Sequence, residues 1–432
     1  TVIDVSQSDP DTSQGNNNGS FAGDSYGAAI GGGGSETGTG GDGGTITIFG
    51  GTVRAESVLG AGIGGGSGGS GGGDGGKVTI SGGAVRAESY YGGGIGGGCD
   101  IGGGNAGGDG GTITISGGTV EVQSVSGAGI GGGNSGLGPS DSIPKKGTGG
   151  SGGNITISGG SVTATTMTGR TIGLLAERNQ GRWAGAAIGG SFGGSSGNIT
   201  ISGGTVTAIV SSQTAPYADP DADPKYSAGI GSSDHSIGGG TITISGGTVF
   251  AQSPDGAGIG CGENSDGSAI VIAISGGTVE AVSTNGAGIG GGMIEALSAM
   301  VNFKKTYSGG EITISGGSVS AQSTNGAGIG SGAVIYDVEE VSERNTPEVN
   351  GGEITVSGGT VSAQSVRGAG IGGGSGQVTV GSTVTVDPDA QTTPSLTLSS
   401  GSGGTVTISG GTVEAVSTEG VGIGSGGMPF YQ

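Results

Sequence analysis

The chain repeats one phrase about ten times, and that periodicity limits its fold more than any single motif does. Residues 112–133 read Thr-Ile-Thr-Ile-Ser-Gly-Gly-Thr-Val-Glu-Val-Gln-Ser-Val-Ser-Gly-Ala-Gly-Ile-Gly-Gly-Gly, and close copies recur from Thr45 to Gly426. Self-similarity at a fixed core length is the signature of a solenoid, in which each unit buries its apolar face only against its neighbours. Glycine supplies 117 of 432 residues. Collagen would need it at every third position, and no such register exists here. Disorder is equally excluded, because Ile and Val alternate regularly between the glycine clusters.

Each unit contains three short extended segments. The first, Thr-Ile-Thr-Ile-Ser at 112–116 and 241–245, returns with small changes at 45–49, 77–81, 154–158, 198–202, 311–315, 353–357 and 405–409. Its period of two marks a strand with one buried face. Gly-Gly then permits a bend that a side chain would obstruct. The second segment, such as Thr119-Val-Glu-Val-Gln-Ser124, alternates again. The third is Gly-Ala-Gly-Ile-Gly, expected to turn Ala and Ile inward and its glycines outward. Its isoleucine stands at 30, 63, 95, 130, 188, 230, 259, 289, 329, 371 and 423.

Three strands in a core of about 22 residues predict one coil of a right-handed parallel β-helix. The fold class is therefore all-β, a solenoid of about ten to eleven three-stranded rungs and roughly 50 Å long. A single domain spans 1–432, with 1–26 as an entry segment, repeats over 27–426, and an irregular rung or excursion over 377–404. Aromatics are only 3% of the chain, so the core must be columns of Ile, Val and Ala.

The unit GTITISGGTVxAxSxxGAGIGGG resembles glycine-rich repeats of large surface and secreted bacterial proteins, particularly those of gut and soil Gram-positives. The resemblance covers nearly the whole chain. It implies pectate-lyase-like β-helix architecture, a secreted or cell-surface location and a polysaccharide-related setting. It transfers no catalytic residue.

Charge narrows the partners. A formal charge of -21 with 13 basic residues argues against nucleic acid and against an anionic membrane surface. No run of about 18 apolar residues is present, so no membrane insertion is expected. Residues 1–20 lack the basic start and apolar core of a signal peptide. Cys99 and Cys261 sit four repeats apart, roughly 19 Å at the interstrand spacing, too far for a disulfide.

Departures from the repeat carry the functional expectations. Two adjacent rungs carry insertions between their second and third segments, Thr168 to Trp183 and Ser211 to Lys225. Both leave from one corner and should lie side by side. They hold the only tryptophan, Trp183, with Tyr217 and neighbouring Tyr226, and with Arg170, Arg178 and Arg182. Loops on a rigid scaffold concentrate binding chemistry. Aromatic faces with arginine and acid suit a sugar, whose ring stacks while polar groups fix its hydroxyls. The bland alternative is a loop pair packed on itself around Trp183. Asp219, Asp221 and Asp223 alternate as calcium ligands do, but Pro224 and Ile230 depart from an EF-hand loop, and a solvated acidic turn explains them equally.

Four residues after the third-segment isoleucine, successive rungs carry Ser67, Cys99, Asn134, Phe192, Asp234, Glu263 and Met293. If register holds, Asp234 and Glu263 are stacked neighbours about 5 Å apart at the backbone. Paired carboxylates with split pKa values are the machinery of glycoside hydrolysis, one acting as acid and the other as nucleophile or base. His235, the only histidine, follows Asp234. The sequence thus supports a glycoside hydrolase or transglycosylase with Asp234 and Glu263 as the catalytic pair, a platform of Trp183, Tyr217 and Tyr226, and Arg178, Arg182 and His235 as orienting groups. The alternative to this leading reading is a non-catalytic carbohydrate-binding adhesin or surface stalk, with the two acids diverging into water.

Other readings fare worse. Thr columns suggest ice binding, but Lys77, Glu311 and Glu353 interrupt the outer column, and β propensity explains the inner one. No lysine or histidine stands beside the arginines as a lyase base. No phosphate loop or nucleophile elbow is present. Finally, the outward glycines (Gly62, Gly129, Gly258, Gly288) suggest a flat face for lateral self-association.

Overall fold

The computed structural model describes residues 2–6, 26–102, 104–135, 149–168, 184–212, 226–236, 239–296, 306–337, 348–379, 401–427 and 430–431. Three parallel sheets run along it, of 10, 11 and 11 strands, one for each segment of the repeat. The first segments form the ten-stranded sheet. The second segments form an eleven-stranded sheet that also includes Val2–Ser6, paired with Thr52–Ser57. The third sheet is built from two-residue Ile-Gly strands at each of the eleven expected isoleucines. This is the three-stranded rung of a right-handed parallel β-helix.

Register is in step from rung to rung. Val85, Val120 and Val162 stack, as do Ile95, Ile130 and Ile188. Thr156, Thr200 and Thr243 continue the inner threonine column, which Ala273 interrupts. Five aliphatic columns, two from the first segment, two from the second and one from the third, form a single core running through the interior. Burying each Ile or Val contributes roughly 1.5–3 kcal/mol. In the last described rung Ile408 and Ile423 are exposed.

The glycines of the third segment do not form an outer face. Gly62, Gly129, Gly258 and Gly288 are all buried. A Cβ on Gly62 would meet the backbone of Glu88, and one on Gly258 the backbone of Val282, both in the second sheet of the next rung. The third strand therefore lies against that sheet, backbone to backbone, which only glycine permits. The expected glycine-lined docking face is an internal seam.

Two polar ladders tie the rungs together. Serines closing the second segment are buried, and each donates its hydroxyl to a carbonyl of the preceding rung. Ser89 bonds Gly60 at 2.7 Å, Ser124 bonds Gly92 at 2.9 Å, Ser323 bonds Gly286 at 2.7 Å and Ser365 bonds Gly326 at 2.7 Å. Further along the same corner, Asn285 donates to Asp255 at 2.5 Å, Asn325 to Asn285 at 2.5 Å, and Arg367 to Asn325 at 2.8 Å.

The stretch after Met293 opens with a strand, Ile294–Ala296. Ile294–Ala296 pairs with Val334–Asp337, which pairs with Gly376–Thr379, forming a small extra parallel sheet outside the coil. Ile294 and Val334 sit with Tyr307 and Val349 in a separate apolar cluster. The start of the irregular 377–404 stretch thus joins this sheet, and residues 380–400 lie outside those described.

Candidate functional site

The strands that feed the two central insertions run side by side. These strands, Ser161–Thr168 and Thr205–Ser212, are eight residues long where other second segments have six. They remain paired to the end, Met167 with Ser211 and Thr168 with Ser212. Arg170, Arg178, Arg182, Trp183, Tyr217, Asp219, Asp221 and Asp223 lie outside the described residues. Among the described residues, no group of three His, Cys, Asp or Glu is placed to hold a metal ion.

The short third segment brings the insertion roots against the third-segment exit. Glu263 N–H donates to the carbonyl of Tyr226 at 3.0 Å, and Tyr226 N–H donates back to Glu263 Oε2 at 3.3 Å. Asp234 N–H donates to Ser227 Oγ at 3.2 Å, and Ser227 Oγ donates to the carbonyl of Ala184 at 2.5 Å. Tyr226 and Ala184 are the first described residues after the two insertions.

Asp234 and Glu263 are stacked as the register argument expects. His235 N–H bonds the carbonyl of Glu263 at 3.0 Å, which sets the two rungs one residue in step. Their side chains take parallel roles. Asp234 Oδ1 lies 2.7 Å from His235 Nδ1, and Glu263 Oε1 accepts the side-chain amide of Asn264 at 3.0 Å. A carboxylate oxygen can only accept, so His235 Nδ1 is the donor of this pair. Both acids are inside the wall: Asp234 is 0% exposed and Glu263 1%. Of this group only the His235 ring reaches solvent, with 33% of its side chain exposed.

The backbone explains the pairing. His235 and Asn264 have φ of 55° and 52°, and Gly193 at the same position one rung earlier has 74°. Histidine and asparagine are among the few side chains that tolerate this left-handed region. Three successive rungs therefore make the same tight turn at one corner, where other rungs continue extended. The sequence signal for it is Gly, His and Asn at one repeat position, which the periodicity of the apolar residues does not contain.

Serine fills the remaining space. Ser265 Oγ donates to the carbonyl of Ser233 at 2.6 Å and accepts Ser236 N–H at 3.0 Å. Phe192 packs its ring 5.9 Å from that of His235. Burial pushes the Cys261 thiol up to about 12, eased by a hydrogen bond with Ser232 and reinforced by Asp266. Tyr307 is pushed up to about 12 chiefly by burial, then by the charges of Asp266 and Asp234. Tyr226 is 6% exposed and belongs to the main core, so it is not an open platform for a sugar.

Eight stretches of the chain match the β-helix repeat family model: residues 46–67, 113–134, 199–234, 242–263, 272–293, 312–333, 354–375 and 406–427. Two of them end on Asp234 and Glu263, placing both acids at one position of the repeat. No curated protein and no solved structure matched the chain.

Proposed function

Because this chain is a right-handed parallel β-helix built of β-helix repeats, we propose that it is a non-catalytic rod, secreted or displayed at a cell surface, that binds a glycan. The observation that carries this reading is the state of the two acids. A glycosidase must bring one carboxyl to the leaving oxygen and the other to the anomeric carbon or to water. Asp234 and Glu263 are 0% and 1% exposed and bonded to the residues that follow them, His235 and Asn264. Asp234 Oδ1 and both carboxylate oxygens of Glu263 are bonded within the wall itself.

A rod of this kind contributes stiffness and a fixed spacing of its surface groups. Its strong negative charge favours neutral partners over polyanions. The resemblance to repeats of bacterial surface proteins supports the extracellular setting.

Incubation with a panel of plant, mucin and bacterial glycans, read by new reducing ends and by retention on each glycan, tests the proposal. Retention without new ends is expected. Product that disappears in Asp234→Asn and Glu263→Gln would overturn it in favour of a hydrolase or transglycosylase.

A further inference from the structure

The second sheet carries one feature that the repeat does not predict, a phenylalanine facing outward in mid-sheet. Phe250 lies in Thr248–Ser253, at the third position of the strand, and is half-buried. The positions paired with it on either side are Thr207 and Glu280. At the fifth position of the same three strands stand Ile209, Gln252 and Val282, again paired in register. All of these point away from the core, because the alternate positions Val249 and Ala251 are the buried ones.

The arrangement is a small apolar platform with a polar rim. Ile209 and Val282 are diagonal neighbours of Phe250 on the flanking strands, within reach of an aromatic ring. Thr207, Gln252 and Glu280 place a hydroxyl, an amide and a carboxylate around them. Apolar faces with a few convergent polar groups are how proteins hold small polar ligands in orientation. Sugars present the same two chemistries, a face of C–H bonds and a rim of hydroxyls.

Charge along the sheet selects among partners. Towards the N-terminal end the outward third and fifth positions carry Arg54, Glu56, Arg86, Glu88 and Glu121, with Arg54 paired to Glu56 and Arg86 to Glu88. From Ser161–Thr168 through Thr360–Ser365, Glu280 is the one charged residue at those positions. In a chain of formal charge -21, such a stretch is complementary to an uncharged partner. The strands repeat about every 4.8 Å, so a linear polymer lying along the sheet meets an equivalent row at each step.

We infer that the outward face of the second sheet around Phe250 is the glycan-binding surface, and that its occupant is a neutral, linear polysaccharide whose ring stacks on Phe250. The inference rests on the glycan-binding reading above and adds its location and charge class. The hydroxyl of Thr207 and the amide of Gln252 fix the sugar hydroxyls, and Glu280 accepts from one of them.

The test is calorimetric titration of the intact chain with neutral hexasaccharides of β-glucan, chitin and mannan, and with a hexagalacturonate as the charged comparison. Phe250→Ser is the variant of choice, because Ser320 and Ser362 occupy the same column in later rungs and fold there. Binding of a neutral hexasaccharide that falls at least tenfold in Phe250→Ser, with an unchanged melting curve, is the expected result. Arg86→Ala, in the charged part of the sheet, should leave the affinity within twofold. Binding that is unchanged in Phe250→Ser overturns the location and leaves the glycan-binding reading standing. Preference for the hexagalacturonate overturns the charge class. A chain that binds none of the four overturns this surface; retention on a glycan of the wider panel leaves the glycan-binding reading standing, and retention on none overturns that reading too.

Discussion

Asp234 and Glu263 occupy one position on successive rungs, and each bonds the side chain that follows it, His235 at 2.7 Å and Asn264 at 3.0 Å. The second residue of each pair holds a left-handed backbone, so the acid and its neighbour act together as a turn lock. Glu263→Ala leaves the Tyr226 N–H and the Asn264 amide without that acceptor inside the wall. Loss of an acceptor from a buried donor costs about 1–3 kcal/mol. A lowered thermal midpoint is expected for Glu263→Ala and Asp234→Ala, with a smaller drop for Glu263→Gln, which keeps a carbonyl in place. Midpoints that match the unmodified chain would show that the lock contributes nothing to stability.

The serine ladder predicts where cooperativity between rungs resides. Ser323 donates to the carbonyl of Gly286 at 2.7 Å and is buried. Ser323→Ala removes the donor and leaves a buried carbonyl with one bond fewer, a cost of about 1 kcal/mol. Because a solenoid is stabilised by contacts between adjacent units, the loss stays local. Amide exchange should quicken in Ser318–Ser323 and in its partners Thr278–Ser283 and Thr360–Ser365, and remain unchanged near Thr52–Ser57.

Much of this architecture is legible in the residues alone. Alternating Ile and Thr predicts the first sheet, and the eleven isoleucines predict the third, because a period of two and a repeated length leave little else to build. The glycine seam departs from the sequence expectation for a physical reason. Alternation predicts that Gly62 and Gly258 face opposite to Ile63 and Ile259, but the third strand is so short that both faces are covered. The stacking of Asp234 on Glu263 follows from register, whereas their burial depends on Ser227, Ser265 and Tyr226, which arrive from other turns. Phe250 is hard to find from sequence because it stands in a column of varied residues, Thr207 before it and Glu280 after it, where nothing in the local pattern sets it apart.

The Ile-Gly strands and the loops beyond them make a sharp contrast between glycines. Gly330 has φ of 137°, and a Cβ there would fall onto the carbonyl oxygen of Gly372 in the next rung. Neither the backbone nor the neighbour can yield without breaking the Ile-Gly ladder, so Gly330→Ala is expected to cost at least 4 kcal/mol or to prevent folding. Gly33 has nothing within 4 Å of the same position and no left-handed backbone. Gly33→Ala should stay within about 0.5 kcal/mol of the unmodified chain. Comparable soluble yields and melting curves for both variants would contradict the close stacking of successive Ile-Gly strands.

Alkaline pH should loosen the rod before acid does anything comparable at its thiols and phenols. Burial raises the folded Cys261 thiol to about 12 from an ordinary 9.0, and the Tyr307 phenol to about 12 from an ordinary 10.0. Cys99 and Tyr91 are shifted upward for the same first reason. A group whose folded pKa is raised contributes stability that is complete below its unfolded pKa and disappears as pH rises through the folded one. The unfolded chain then releases protons that the folded chain retains, so the thermal midpoint should be level up to about pH 9 and fall steadily from there towards 12. Substitution of Cys261 by Ala should lessen the slope near pH 9–10, where the unfolded thiol is the first of these groups to ionise. A midpoint that stays level to pH 12 would mean that these groups ionise as readily in the rod as outside it.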